Sequence, residues 1–129
     1  MPEQVKVKKM TLQRKLLGRK GEDAAADYLK KNNYQILCRN YTCKLGEIDI
    51  IARQRDFIVF VEVRSRSSED FGLPQETINR RKKMKLRNLA RYYLKETGRS
   101  NENCRFDVIA LVFEESGDVE RLEHIENAF

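Results

Sequence analysis

The chain has 129 residues, of which 36% are charged and 40% hydrophobic, with a formal net charge of +6 and a pI of about 9.3. That length suits one domain with a proper core. Apolar residues in periodic blocks exclude a disordered chain, and no apolar stretch approaches the ~20 residues of a membrane span. The first ten residues, Met1 to Met10, are polar and lysine-rich and lack the apolar region of a secretory signal. They read as a flexible basic extension, with a single domain over 11–129. The cysteines, Cys38, Cys43 and Cys104, form no Cys-x-x-Cys pair and have no histidine nearby to complete a zinc site. Reduced, packed thiols and a cytoplasmic location are the expectations.

In chain order, Leu17, Gly21, Ala24, Ala25, Tyr28 and Leu29 recur at helical spacing and predict a helix from about Thr11 to Asn32. Strands follow over about Tyr34–Tyr41, Leu45–Gln54 and Phe57–Arg64. Arg55-Asp56 makes the turn between the second and third, so the three form an antiparallel meander. Ser65 to Pro74 is a polar loop. A second helix is expected from about Gln75 to Thr97, with Gly98 as its stop. Its apolar stripe is Ile78, Leu86, Leu89, Ala90 and Tyr93. The Cys104–Phe113 strand is apolar without alternation, as in a strand buried on both faces. Gly117-Asp118 turns the chain into a last strand, Val119–Ile125. The order α-β-β-β-α-β-β predicts an α/β fold with a mixed central sheet and a helix on each side.

The chemistry concentrates in Gly46-Glu47-Ile48-Asp49-Ile50-Ile51 and Phe60-Val61-Glu62-Val63-Arg64. Each is an apolar strand with an acid in its middle, which is costly unless the acid is paired or binds a cation. Alternation places Glu47, Asp49 and Ile51 on one face of their strand and Ile48, Ile50 and Ala52 on the other. In the next strand Ile58, Phe60, Glu62 and Arg64 share a face, opposite Phe57, Val59, Val61 and Val63. A two-residue turn at Arg55-Asp56 would pair positions summing to about 111 and set Asp49 opposite Glu62. Facing carboxylates repel unless a cation lies between them, and Mg²⁺ or Mn²⁺ takes carboxylates together with water and phosphate oxygens. Phosphodiester hydrolysis would employ such a metal to polarise the phosphate and acidify a water, with Arg64 stabilising the transition-state charge. The same spacing also suits a structural ion-pair cluster in which Arg53 and Arg64 neutralise Asp49 and Glu62. Asp107, at the start of a buried strand, reads as structural. His124, the one histidine, reads as a surface or packing residue.

These residues carry a resemblance. Gly18-Arg-Lys-Gly21-Glu22-Asp-Ala-Ala25, Tyr28-Leu29, Arg39-Asn40, the two acidic strand blocks through Ser65-Arg66, Lys82, Ala90, Tyr93-Leu94, Arg105-Phe106-Asp107-Val108 and Asn127-Ala128-Phe129 resemble the YraN family of bacterial proteins. That family is similar to the restriction-endonuclease-like PD-(D/E)xK superfamily, and most to archaeal Holliday junction resolvases. The resemblance implies an αβββαβ core and a divalent metal on Asp49 and Glu62, with Glu22 of the first helix joining them in catalysis. Glu47 would be a further ligand or a rim charge. Resolvases of this kind are dimers, so a homodimer is implied. The superfamily places lysine two residues after the third-strand acid, where this chain has Arg64. Lys82 is a candidate substitute.

The second helix carries most of the positive charge: Arg80, Arg81, Lys82, Lys83, Lys85, Arg87, Arg91 and Lys95. With Arg66, the residues Arg80, Arg81, Lys82, Lys83 and Arg87 are the candidate nucleic-acid contacts, DNA being the expected partner. No aromatic interleaving or groove-reading motif occurs, so backbone or shape recognition is expected rather than base readout. Two functional readings follow, a metal-dependent nuclease of DNA metabolism acting on branched or junction DNA, and a non-catalytic nucleic-acid-binding module with the same fold. A third is an adaptor that presents the basic helix to an acidic protein.

Overall fold

The computed structural model describes the backbone over residues 2–68 and 79–129, and side chains from Leu12 onward. Helix α1 spans Pro2–Lys31, beginning ahead of the expected Thr11. Strands β1 (Gln35–Cys43), β2 (Gly46–Gln54) and β3 (Phe57–Ser67) follow, then helix α2 (Arg80–Glu96) and strands β4 (Asn103–Phe113) and β5 (Val119–Ile125). The five strands form one sheet in the order β1-β2-β3-β4-β5. Only β3 and β4 are parallel; the other neighbours are antiparallel. The expected α/β fold with a mixed sheet is what the chain adopts. Among the described residues no helix is long and apolar enough to cross a membrane.

Each face of the sheet buries its own core. On one side Ala25, Ala26 and Leu29 of α1 pack against Ile50, Ala52, Val59, Val61, Ile109 and Leu111. On the other, Leu86, Leu89, Ala90, Tyr93 and Leu94 of α2 pack against Ile48, Ile51, Ile58 and Phe60. The β3 alternation is as the sequence predicts. Gly21 lets α1 approach β3 closely: a Cβ there would overlap the Ser65 side chain, coming within 2.9 Å of its Cβ. The β2–β3 turn is a two-residue one, with Arg55 at φ 53° between the paired Gln54 and Phe57.

Further boundaries differ from the sequence reading, most of all in β3 and α2. Strand β3 runs on to Ser67 because its parallel ladder with β4 continues to Ser67–Phe113. Helix α2 starts at Arg80. Asn79 is extended (φ −76°, ψ 169°) and its side chain caps the helix by accepting the Lys82 N–H, so no helix runs unbroken from Gln75. Residues 69–78, including Ile78 and most of the expected loop, lie outside the described residues. Helix α2 ends at Glu96 on a Thr97 cap, with Gly98 at φ 69°.

Behind the sheet, Asp107 is completely buried and fully bonded. Arg105 donates to it twice, from Nε and from a terminal nitrogen, each at 2.9 Å. The Asn127 backbone N–H adds a bond of 3.0 Å, and His124 Nε2 lies 2.8 Å away. Arg105 also reaches Gln54 and Tyr34, and the other His124 nitrogen meets the Tyr28 hydroxyl. His124 is therefore a packing and hydrogen-bonding residue, 7% exposed, that ties β5 to α1. Burial favours the neutral acid, but the His124, Arg105 and Asn127 bonds outweigh it and hold Asp107 below the usual carboxylate range. All three cysteines are free thiols; Cys38 and Cys43 are half-buried against the core beneath α2, whereas Cys104 is exposed and not packed as expected.

Asp107→Ala would leave the Arg105 charge buried without its partner and should cost roughly 3–5 kcal/mol in a urea or guanidinium unfolding titration. Because the folded carboxyl titrates lower than the unfolded one, its stabilisation is present above the unfolded pKa, near 4, and fades as pH falls through the folded value. The gap between wild type and variant should accordingly close in strong acid.

Candidate metal centre and nucleic-acid interface

The acidic strands meet where their ladders open. The β2–β3 register runs from Gln54–Phe57 to Ile50–Val61 and stops. Asp49 and Glu62 occupy the next positions, in the alignment the turn predicted. There the Asp49 carboxylate, rather than a β2 carbonyl, accepts the Val63 backbone N–H at 2.8 Å. On the β1 side, Arg39 pairs with Ile50 and Tyr41 with Ile48, while Asn40 and Asp49 between them form no pair. Asn40 is left-handed, φ 54°, a conformation asparagine tolerates better than most residues.

This local twist overturns one expectation. Ile48 does not share a face with Ile50 and Ala52. It joins Ile51 in the core beneath α2, while Ile50 and Ala52 pack beneath α1. The alternation that holds along the rest of β2 slips at Asp49, because the chain leaves regular strand geometry there.

Four carboxylates surround the opening. Glu22 comes from α1, Glu47 and Asp49 from β2, and Glu62 from β3. Burial is the main cause that pushes the Asp49 carboxyl up, to about 7. The Val63 N–H opposes the shift, and the charges of Glu62, Glu22 and Glu47 add to it. Burial, then the charge of Glu47, raises Glu22 as well. Both N–H groups of the Asn40 side-chain amide are satisfied when its nitrogen faces the acids, 2.7 Å from Glu22 Oε1 and 3.0 Å from Glu47 Oε1. Glu62 is paired with Lys82 of α2 at 2.8 Å. Among the described residues no lysine or arginine pairs with Asp49.

The expected ion-pair cluster therefore does not form as drawn: Arg53 bonds Glu102 at 2.8 Å, and it is Lys82 that pairs with Glu62. Arg64, two residues beyond Glu62, has a buried Nε without a hydrogen-bond partner. Among the described residues no three histidine, cysteine or acidic side chains converge as a ready-made cage. The oxygen set nonetheless fits Mg²⁺ or Mn²⁺, which need only one or two carboxylates and complete their shell with water and phosphate. A desolvated carboxyl with three acidic neighbours and no cationic partner is what such an ion would relieve.

The basic helix divides into two stripes. Lys83 Nζ and Arg87 Cζ each lie 5.9 Å from the centroid of the Phe129 ring, which stacks in turn on Phe106. Arg80, Arg81 and Lys85, with Asn88, line an open groove floored by Leu45 and Met84. The first turn of α2 holds no acid and four cations, which opposes the helix dipole. Arg66 lies near the end of β3.

Sequence reasoning missed the parts played by Asn40 and Phe129. An asparagine inside a strand, where its β-propensity is poor, was the available signal for the first.

Asp49→Asn keeps an acceptor for the Val63 N–H and removes the charge. The raised folded pKa means that wild type loses stability as pH climbs from about 4 to about 7, whereas the amide does not titrate. Thermal melts should show the variant more stable at pH 8, by up to roughly 4 kcal/mol, and little changed near pH 4.

Residues 21–111 match the model of "Uncharacterised protein family UPF0102". A UPF0102 protein of Pelotomaculum thermopropionicum is 58% identical over 116 residues, covering 90% of this chain and 97% of the relative. One from Moorella thermoacetica is 50% identical over 120 residues, covering 93% and 100%. One from Clostridium acetobutylicum is 50% identical over 115 residues, covering 89% and 94%. With a family model that spans most of the chain and relatives this similar along their whole length, the chain belongs to the uncharacterised protein family UPF0102, the YraN family.

Proposed function

We propose that this protein is a metal-dependent nuclease acting on DNA, with branched or junction DNA as its substrate class. The observation that carries the reading is Asp49, a desolvated carboxyl at a deliberate opening in the sheet, surrounded by Glu22, Glu47 and Glu62 and with no cationic partner among the described residues. Strain and unpaired charge of this kind are characteristic of functional sites.

In this reading Asp49 and Glu62 hold Mg²⁺ or Mn²⁺, and Glu22, whose charge acts on Asp49, would contribute. A bound divalent ion would polarise the scissile phosphate and acidify the attacking water. The Val63 N–H orients one Asp49 oxygen, which leaves the other for the ion. Lys82, on Glu62 at 2.8 Å, supplies a positive charge beside the third-strand acid, the role the superfamily gives to lysine and that Arg64 occupies here in sequence. The unspent Nε of Arg64 is a donor for a phosphate oxygen. Arg64 cannot serve as a base, because it keeps its proton at working pH. Arg80 and Arg81, held at the positive end of α2 with no acid in its first turn, suit a phosphate backbone, which would bind in a sequence-independent, salt-sensitive way.

A specific observation supports the second reading, a nucleic-acid-binding module without cleavage. Lys82 is already neutralised by Glu62, and a pair of this kind can serve structure alone.

Labelled duplex, single-stranded and four-way-junction DNA incubated with Mg²⁺ or Mn²⁺ should be cut, with rates at least ~100-fold lower for Asp49→Ala and Glu62→Ala. Because proton and ion compete for Asp49, Mn²⁺ should bind more tightly at pH 8 than at pH 6. Binding that weakens with salt in all three proteins, without cutting by any, would replace the nuclease reading with the binding module.

A further inference from the structure

The two breaks in the β1–β2–β3 ladder sit side by side, and one residue stands at both the backbone and the side-chain level of the arrangement. Asn40 supplies the left-handed φ of 54° at the point where the β1–β2 ladder skips a pair before resuming at Tyr41–Ile48. Its amide also spans two carboxylates from different elements, Glu22 on α1 and Glu47 on β2, at 2.7 and 3.0 Å. Two carboxylates this close repel each other, and a shared donor offsets that repulsion. An NH₂ group with two donors is suited to hold them, since it gives one proton to each and carries no charge that would compete with a metal. Arg39, the neighbour of Asn40, reinforces the α1 side by pairing with Asp23 at 2.7 Å.

We propose that Asn40 is a positioning residue: its amide clamps Glu22 of α1 to Glu47 of β2 and so holds both acids in the neighbourhood of Asp49, from where they could close on a divalent cation. The proposal rests on the metal reading above for its purpose, but the clamp itself is a property of the metal-free protein. It divides Asn40 into two separable parts. The backbone part opens the ladder, and glycine could replace it, because glycine reaches positive φ freely. The amide part holds the acids, and glycine cannot replace that.

Asn40→Gly should therefore melt within a few degrees of wild type yet bind Mn²⁺, followed by calorimetry and by the electron-spin signal of the free ion, roughly tenfold more weakly or worse, the loss typical when a group that orients metal ligands is removed. Asn40→Asp retains the shape and the tolerance of positive φ but turns a donor into a further negative charge beside Glu22 and Glu47, and it should fail to restore the clamp. In a Glu22→Gln background the Asn40→Gly substitution should have little further effect, since the pair acts as a unit. Unchanged Mn²⁺ affinity in Asn40→Gly, or an undiminished loss in the Glu22→Gln background, would overturn the proposal. Should wild type bind no Mn²⁺, the metal reading fails, and the clamp is then judged without metal. In nitrogen-proton NMR spectra, the Asn40 side-chain amide should shift and exchange faster with solvent in Glu22→Gln and in Glu47→Gln. Amide signals indifferent to both substitutions would overturn the clamp independently of any metal.

Discussion

The parallel pairing of β3 with β4 is the constraint on which the rest of the molecule depends. Parallel neighbours cannot be joined by a tight turn, so the chain must leave the sheet and return across one face. Helix α2 lies on that return and covers Ile51, Ile58 and Phe60, leaving the opposite face to α1. Strand β3 is thereby flanked on both edges and covered on both faces. An acid in such a strand meets groups from every layer. Glu62 meets Lys82 from above, and Asp49 feels Glu22 from the other helix.

A buried acid and a half-buried one show opposite outcomes of the same physics. Asp107 and Asp49 both suffer desolvation. Asp107 is given a bidentate arginine, a histidine and a backbone N–H, and it is held as a carboxylate. Asp49 receives one backbone N–H and three negative neighbours, and it is pushed toward the neutral acid. The first arrangement welds β4, β5 and the C-terminal residues to α1 through Tyr28 and to β2 through Gln54. The second stores an electrostatic cost at one point of the sheet. A fold that solves the problem so completely at Asp107 leaves it unsolved at Asp49, and that contrast is what the proposed metal reading rests on.

Much of the fold was legible because its signals are local. Strand β5 falls on Val119–Ile125 as the Gly117-Asp118 turn indicates, and the Arg55-Asp56 turn set the β2–β3 register that brings Asp49 and Glu62 to adjacent ends of the ladder. The errors arise where a non-local interaction decides. Strand β3 continues past Arg64 because β4 supplies partners as far as Phe113, which nothing in the β3 residues announces. The face of Ile48 reverses because Asn40, a residue of another strand, takes left-handed geometry opposite Asp49. The partner of Glu62 is a lysine twenty residues further on, brought by the crossover and not by strand spacing.

Taken alone, the residue order determined the element types, the mixed α/β architecture, the acidic character of β2 and β3 and the basic character of α2, because periodicity, turn chemistry and charge are properties of short segments. Only the tertiary structure decided which cation answers which acid, which carboxyl is left without one and which amide holds two acids together. Those outcomes depend on distances between segments far apart in the chain, and electrostatic energies in a partly buried site change with a few ångströms of separation and with the water each group has lost.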